Sequence, residues 1–509
     1  MASSILSVIT PVYRPVLSEL RECLKTVKAP GVEHILALDG VSNVKNLGAL
    51  KRLVRKFGAK LVICEQPAGI SAASNQAAAL AEGEFLVFLD QDDFLVKNWR
   101  EPLCAVIDNA DFVYSDAFLA DESGKAFHYW KKPGWSPHRL TFNMYAVHFM
   151  AVRRSVFEKV GGFRSQFDGS QDHDLALRVS RESTRFIHIP TPLYFWRASK
   201  ASTASNPENK KWAFDAGLAA AQEHLSFYSP GATLEKIEGF PGALRPTYPA
   251  RTEPVSIVIP TAFGSSAEGT SYVDSLLKSV TPFLDAGKGD QVILVHGGEK
   301  PTYFVKNLQA STKLDVLIIE DRESFNFSQR CNIGFFMAKN EHVLLLNDDI
   351  EFGSDNPLDS LFGTLKMPNV GLVGALLVFP DFSIQHGGHS FTGGDPHHSH
   401  YGARSLTHGL MDLVVDHEVV GVTGALMFQL KSTWEAVGGF CPEFPLNYND
   451  VDYCQKIRTL GYSIIQANSV TAIHHESVTR EPVIEDFETN LIRQRWSDTL
   501  QSDVYSTTD

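Results

Sequence analysis

Two carboxylate clusters in this chain have the composition of a site for a hard cation. Leu86-Val87-Phe88-Leu89 runs straight into Asp90-Gln91-Asp92-Asp93, and Leu344-Leu345-Leu346 runs into Asn347-Asp348-Asp349. A strand buried on both faces cannot carry adjacent carboxylates, so both clusters must emerge in a loop at a strand's carboxyl end. Oxygen donors paired there suit Mg²⁺ or Mn²⁺ holding a diphosphate. One such motif alone is best read as an acidic strand-to-loop turn or helix cap; two at matched strand ends favour the metal. A second acidic motif follows each cluster: Gln171-Asp172-His173-Asp174 and Asn449-Asp450-Val451-Asp452. Each comes after a glycine turn and opens a helix, where Asp172 or Asp450 is expected as the cap, with Asp174 or Asp452 in the first turn. A carboxylate held there can also accept a proton from a sugar hydroxyl.

The elements that position these residues repeat. Ser71 and Ser328, Asn75 and Asn332, Glu84 and Glu341, Asp90 and Asn347, and Asp92 and Asp349 all lie 257 residues apart. Ser7-Val8-Ile9-Thr10-Pro11 is echoed by Ser256-Ile257-Val258-Ile259-Pro260, and Val160–Phe163 reads VGGF as Val437–Phe440 does. The late motifs are 277 to 278 residues apart, so the second copy carries about twenty extra residues between its acidic motifs. Short apolar runs at Ile5–Ile9, His34–Leu38, Leu61–Cys64 and Glu84–Leu89 read as buried strands. Leu17, Leu20, Leu24 and Val27, and Val273, Leu276, Leu277 and Val280, recur at helical spacing between strands. The alternation predicts an α/β chain of two tandem Rossmann-like domains with mainly parallel sheets, over 1–225 and 253–480. A proline-rich linker (226–252) and a C-terminal tail (481–509) complete it. Phe487, Leu491, Ile492 and Trp496 suggest an amphipathic tail helix packed on the second domain.

Composition narrows the function. Forty-six Lys plus Arg against 59 Asp plus Glu leave a charge of −13, the wrong sign for tracking a nucleic-acid backbone. Six scattered cysteines without a CxxC pair fit a reducing, cytoplasmic compartment. No basic leader region precedes the first apolar run, and the longest apolar stretch, Val370 to Phe379, is half of what a bilayer crossing needs. A soluble or peripheral protein is expected.

Both halves resemble family 2 glycosyltransferases of the GT-A fold. The second is similar to tandem bacterial transferases of the rhamnosyltransferase and O-antigen type, through FNFSQRCNIG, LLLNDDIEF, SIQHGG, VTGALM, VGGF, NDVDYCQKIRTLGY and IHHES. The resemblance implies an inverting transfer from a nucleotide-sugar donor (UDP-, dTDP- or GDP-linked) to a glycan acceptor, lipid-linked in this group. Peripheral membrane contact would follow. It implies a divalent cation on Asp90 with Asp92 and on Asn347 with Asp349, and Asp172 and Asp450 as general bases. It also implies nucleotide contacts from Thr10, Pro11 and Asp39, from Pro260 and Thr261, and ribose or supporting contacts from Asp93 and Asp348.

The copies differ in equipment. A third metal ligand, a histidine late in the domain, is matched in copy two by His474 or His475, followed by Glu476. Copy one carries Phe195 and Ser199 where relatives often carry histidines, which leaves its competence open. Copy two lacks the Asp39 carboxylate, having Val295-His296-Gly297-Gly298 at that strand end. Its extra residues include His386, His389, His397, His398 and His400. Without cysteine or regular spacing, a glycine-rich loop lining the acceptor cleft is a better reading than a zinc site. The competing readings are a single active domain beside an acceptor-binding or structural module, and a non-catalytic glycan-binding scaffold.

Overall fold

The computed structural model describes residues 6–198, 211–266, 268–391, 394–404, 411–475, 484–501 and 503–507. The chain divides into two compact units, one holding residues 1–225 and 234–244, the other 226–233 and 245–505. The first unit runs β1 (Leu6–Val12), α1 (Leu17–Val27), β2 (Val32–Asp39), α2 (Leu47–Lys56), β3 (Lys60–Cys64), α3 (Ile70–Ala78), β4 (Phe85–Phe88) and β5 (Phe94–Leu95). It continues with α4 (Arg100–Val106), β6 (Phe112–Ala120), β7 (Ala126–Trp130), α5 (Pro137–Phe142), β8 (Met150–Arg153), α6 (Arg154–Lys159), α7 (Gln171–Glu182), β9 (Phe186–Arg197) and α8 (Lys211–Tyr228). The proline-rich stretch read as a linker holds two short strands, β10 (Thr233–Lys236) and β11 (Leu244–Thr247).

The second unit runs β12 (Val255–Pro260), α9 (Tyr272–Val280), β13 (Gln291–His296), α10 (Tyr303–Thr312), β14 (Asp315–Glu320), α11 (Phe327–Met337), β15 (His342–Leu346), β16 (Ile350–Phe352) and α12 (Pro357–Leu365). Then come β17 (Val370–Val378), β18 (Ile384–His386), β19 (His389–Ser390), β20 (His397–His398), β21 (His417–Val419), β22 (Leu426–Leu430), α13 (Lys431–Val437), α14 (Asn449–Thr459), β23 (Ser463–His474) and α15 (Asp486–Leu500).

The strand orders, β3-β2-β1-β4-β8-β6-β9-β5 and β14-β13-β12-β15-β22-β17-β23-β16, match position for position. Apolar residues on both faces drive the central strands inward: β1 and β12 are buried almost throughout, and Leu20, Cys23, Leu24 and Val27 turn one stripe of α1 onto the sheet. In each sheet the chain leaves the first strand in one direction and returns on its other side with the acidic strand, β4 or β15. That reversal opens a crevice at the carboxyl ends of the strands, where ligands bind in open α/β sheets.

One duplicated clamp explains two duplicated motifs. Asn75 Nδ2 donates to the Phe163 carbonyl (2.8 Å) and its Oδ1 accepts the Phe163 N–H (2.9 Å); Asn332 does the same with Phe440, 2.8 Å each. A Cβ on Gly162 or Gly439 would lie 2.7 or 2.6 Å from that amide oxygen, and both residues have positive φ, so only glycine fits. Asn332 Oδ1 also accepts from Trp434 Nε1 (3.1 Å). Replacing Asn332 with Ala strands these partners, and chemical denaturation should record a loss of about 2–3 kcal/mol.

The tail helix α15 packs on the second unit: Ile492 is buried, Trp496 Nε1 donates to Asp452 Oδ1 (2.9 Å), and Arg495 lies 3.3 Å from the same carboxylate. No helix among the described residues is long and apolar enough to cross a membrane.

Asp416, just before β21, is buried and accepts the N–H and Oγ–H of Ser469 at 2.8 Å each. Burial outweighs those donors and pushes its pKa up to about 6. The fold therefore tolerates the neutral acid better than the anion, and the unit loses stability as pH climbs from about 4 through 6. Urea unfolding of wild type should weaken by about 2–3 kcal/mol across that window relative to Asp416→Asn, whose profile lacks the slope.

Candidate active site

In the first unit one cavity is lined by Pro11, Asp90, His148, Gln171 and Asp172 among others, so the acidic loop after β4 and the start of α7 share a cleft. Helix α7 begins at Gln171 behind Ser170, which places Asp172 inside the first turn and not at the cap; the helix starts two residues earlier than the motif suggested, just after Gly169, which has positive φ (89°). The N–H of His173 donates to Asp172 Oδ1 (2.8 Å) and fixes the carboxylate. Burial raises the Asp172 pKa, opposed by the His148 imidazole. Burial in turn drives His148 down to about 4.

Asp90 and Asp92 flank a loop braced from below. Asp93 is buried, with Oδ2 accepting the Tyr194 hydroxyl (2.7 Å) and Oδ1 the Arg197 N–H (2.7 Å). Burial, then the charges of Asp90 and Asp92, push the Asp93 pKa well up. Asp93 thus supports the loop from within. Arg197 Nε donates to the Asp92 carbonyl (2.7 Å). Thr10 is buried with its hydroxyl 2.9 Å from His34 Nε2, so that hydroxyl faces the sheet interior. Asp39 closes β2 and accepts the N–H groups of Ala68 (2.7 Å) and Gly69 (3.2 Å), anchoring the entry to α3.

In the second unit the two acidic motifs meet at the start of β22. The Asn347 N–H donates to the Ala425 carbonyl (2.9 Å), and the adjacent Gly424 N–H donates to Asp450 Oδ2 (3.0 Å). Asp450 Oδ1 accepts the Val451 N–H (2.8 Å), repeating Asp172 with His173. Helix α14 again starts two residues early, at Asn449, after Tyr448 in the left-handed region (φ 56°). Asp174 and Asp452 are fully buried structural acids, paired with Arg178 and Arg164, and with Lys456.

His474 ends β23 with Nε2 3.0 Å from Asp349 Oδ1 and 3.4 Å from Asn347 Nδ2. Asp349 Oδ1 is buried without a hydrogen-bond donor. A donorless carboxylate oxygen, an imidazole nitrogen and a carboxamide gathered this way fit the ligand set of Mn²⁺ or Mg²⁺. His475 turns elsewhere: Nε2 lies 3.3 Å from Glu351, and its N–H donates to the Asp349 carbonyl (3.1 Å). Glu476 lies outside the described residues. Asp348 turns inward as Asp93 does, accepting the Thr261 hydroxyl (2.6 Å), with its pKa raised to about 6 by burial. That bond ties the Pro260-Thr261 end of β12 to the acidic loop.

Strand register corrects the comparison of the two histidine positions. Phe94 faces Phe195 across β5 and β9 as Glu351 faces Ile473 across β16 and β23. Phe94 and Glu351 each lie two residues past the equivalent Asp92 and Asp349, so Trp196 stands where His474 does and Arg197 where His475 does. Phe195 instead stacks on Phe94 (4.6 Å), and Ser199 lies outside the described residues. The first acidic loop thus offers Asp90 and Asp92 with Trp196 in the imidazole's place.

Several contributors carry no motif of their own. Tyr194, Arg197 and His148 brace or face the first site, yet a lone aromatic or basic residue gives no sequence signal. Arg330 lies buried against Gly297, where a Cβ would meet its guanidinium at 2.2 Å; it occupies the β13 end where the first unit has Asp39. His386, His389 and His398 do cluster, with ligand atoms within 4.8 Å of one another. The Thr423 N–H donates to His386 Nε2 (3.1 Å), which leaves a neutral ring's proton on Nδ1, facing His398 Nδ1 at 3.1 Å. These two nitrogens form a hydrogen-bonded pair. His389 lies with Nε2 3.7 Å from Asp450.

Residues 7–162 match the model described as glycosyl transferase family 2. The chain is 30% identical over 495 residues to the uncharacterized protein y4gI of Sinorhizobium fredii, covering 94% of this chain and 53% of that protein. It is 29% identical over 490 residues to the O-antigen biosynthesis protein RfbC of Myxococcus xanthus, covering 94% of this chain and 38% of that protein. It therefore spans about half the length of the first relative and less of the second. A structure of S. aureus TarS 1-349 in complex with UDP is similar at 17% identity over 44% of this chain and 65% of that one, with a TM-score of 0.33. Over residues 7–162 the chain is similar to family 2 glycosyltransferases.

Proposed function

We propose that the protein is an inverting glycosyltransferase that moves sugars from nucleotide-sugar donors to a growing bacterial surface polysaccharide, with one active site in each unit. The observation that carries this reading is that Asp90 and Asp172 line one cavity, while in the second unit Asn347 and Asp450 bond to adjacent residues at the start of β22. In each unit the base, pinned by the next residue's N–H, accepts the proton of the acceptor hydroxyl as that oxygen attacks the anomeric carbon from the face opposite the leaving group. Asp349, Asn347 and His474 would hold the divalent cation in the second unit, and Asp90 with Asp92 in the first. When bound, the cation offsets the charge that develops on the departing diphosphate. Asp348 with Thr261, and Asp93 with Tyr194 and Arg197, keep the acidic loops in place. The relative named for O-antigen biosynthesis supports a polysaccharide acceptor; a lipid-linked acceptor at the cytoplasmic face of the membrane is what the sequence resemblance implies.

A second reading has its own support: Trp196 in place of the histidine leaves the first unit as an acceptor-binding or structural module, with catalysis in the second alone. The test is to incubate the purified chain and Mn²⁺ with a panel of sugar nucleotides, reading nucleoside diphosphate release. No release with any donor, with a polysaccharide-precursor acceptor present, overturns both readings.

A further inference from the structure

Gln385 lies on β18, within the motif SIQHGG, and is 1% exposed. Its Oε1 is 2.7 Å from His474 Nδ1. A carboxamide oxygen only accepts, so the proton of a neutral His474 sits on Nδ1 and the lone pair is left on Nε2. Nε2 is the atom 3.0 Å from the donorless Asp349 Oδ1. Gln385 therefore decides which nitrogen His474 presents and at what angle. Ligating histidines are commonly held this way by an acceptor on their far nitrogen. The corresponding first-unit residue, Trp196, packs on Trp130 (centroids 5.6 Å) and His148 (5.3 Å) and has no nitrogen lone pair to present.

We infer that Gln385 is a positioning residue for cation binding in the second unit, holding His474 as a nitrogen ligand, and that the first unit lacks this device. The inference rests on the reading of Asp349, Asn347 and His474 as a cation site. It is tested with Mn²⁺ alone on the full chain, by electron paramagnetic resonance of free and bound ion and by the ¹⁴N coupling of a directly bound imidazole. Wild type should show a Mn²⁺ site with ¹⁴N coupling, and His474→Ala should lose that coupling.

Gln385→Met, which keeps the length and removes the acceptor, should weaken this site about 10- to 100-fold and reduce the coupling. Gln385→Glu, which keeps an acceptor oxygen, should restore both to near wild type. Gln385→Asn, which withdraws the amide by one methylene, serves if the Met variant does not fold, and should also weaken binding. Wild-type affinity and coupling in the folded Met or Asn variant overturn the role of Gln385 while leaving the cation site standing. Absence of any His474-dependent Mn²⁺ site in wild type overturns both.

Discussion

Asp450→Asn should reduce one transfer activity about 10³-fold, with the unfolding midpoint unchanged. Asparagine is isosteric, and its carbonyl oxygen can still accept the Val451 or Gly424 N–H that holds Asp450. What it lacks is a basic oxygen for the acceptor's proton. The expected signature is a fall in kcat with the donor KM little changed, because the donor diphosphate is assigned to the other motif. Asp349→Ala should give the complementary pattern: loss of Mn²⁺-dependent donor binding as well as turnover. The two losses should not multiply in the double variant, since groups serving one step are not additive. Diphosphate release measured with and without acceptor separates the cases. Full activity in Asp450→Asn removes this carboxylate from the chemistry.

Much of this arrangement was legible in the sequence because it is local and repeated. The constant 257-residue offset from Ser71 through Asp92 follows from a conserved βαβ path, and both sheets keep the same strand order. Strand ends were readable for the same reason: an apolar run cannot continue through Asp90 or Asn347. What the sequence left open depends on contacts between distant segments. His474 is separated from His475 only by β23's register against β16, and its partner Gln385 is 89 residues away. The resemblance to relatives pointed to Phe195 and Ser199 as the histidine positions; cross-strand pairing sets Trp196 at the place that His474 holds. The resemblance left ribose and supporting contacts both open for Asp93 and Asp348, and the hydroxyls of Tyr194 and Thr261 show that they face inward. The helix-start aspartates lie two residues past the observed caps because Gly169 and Tyr448 take positive φ ahead of them.

Asp172→Asn decides whether the chain makes one linkage or two. If the first unit is active, this variant should lose about 10²- to 10⁴-fold of a second transfer, chemically distinct from the one lost in Asp450→Asn. The reason to expect activity without a histidine ligand is that Mg²⁺ keeps several waters and is satisfied by one or two carboxylates, which Asp90 and Asp92 supply. The first site should accordingly tolerate Mg²⁺ in place of Mn²⁺ better than the second, where His474 offers nitrogen. Its pH profile carries a further mark. Burial raises the Asp172 pKa, so the ionised base is lost as pH falls through a range above that of an ordinary carboxylate, and the acid limb of this activity moves up with it. In product analysis by linkage-resolved mass spectrometry, two products in wild type and one in each single variant establish two sites. An unchanged product set in Asp172→Asn assigns the first unit to binding or structure, in keeping with Trp196 standing in the ligand's place.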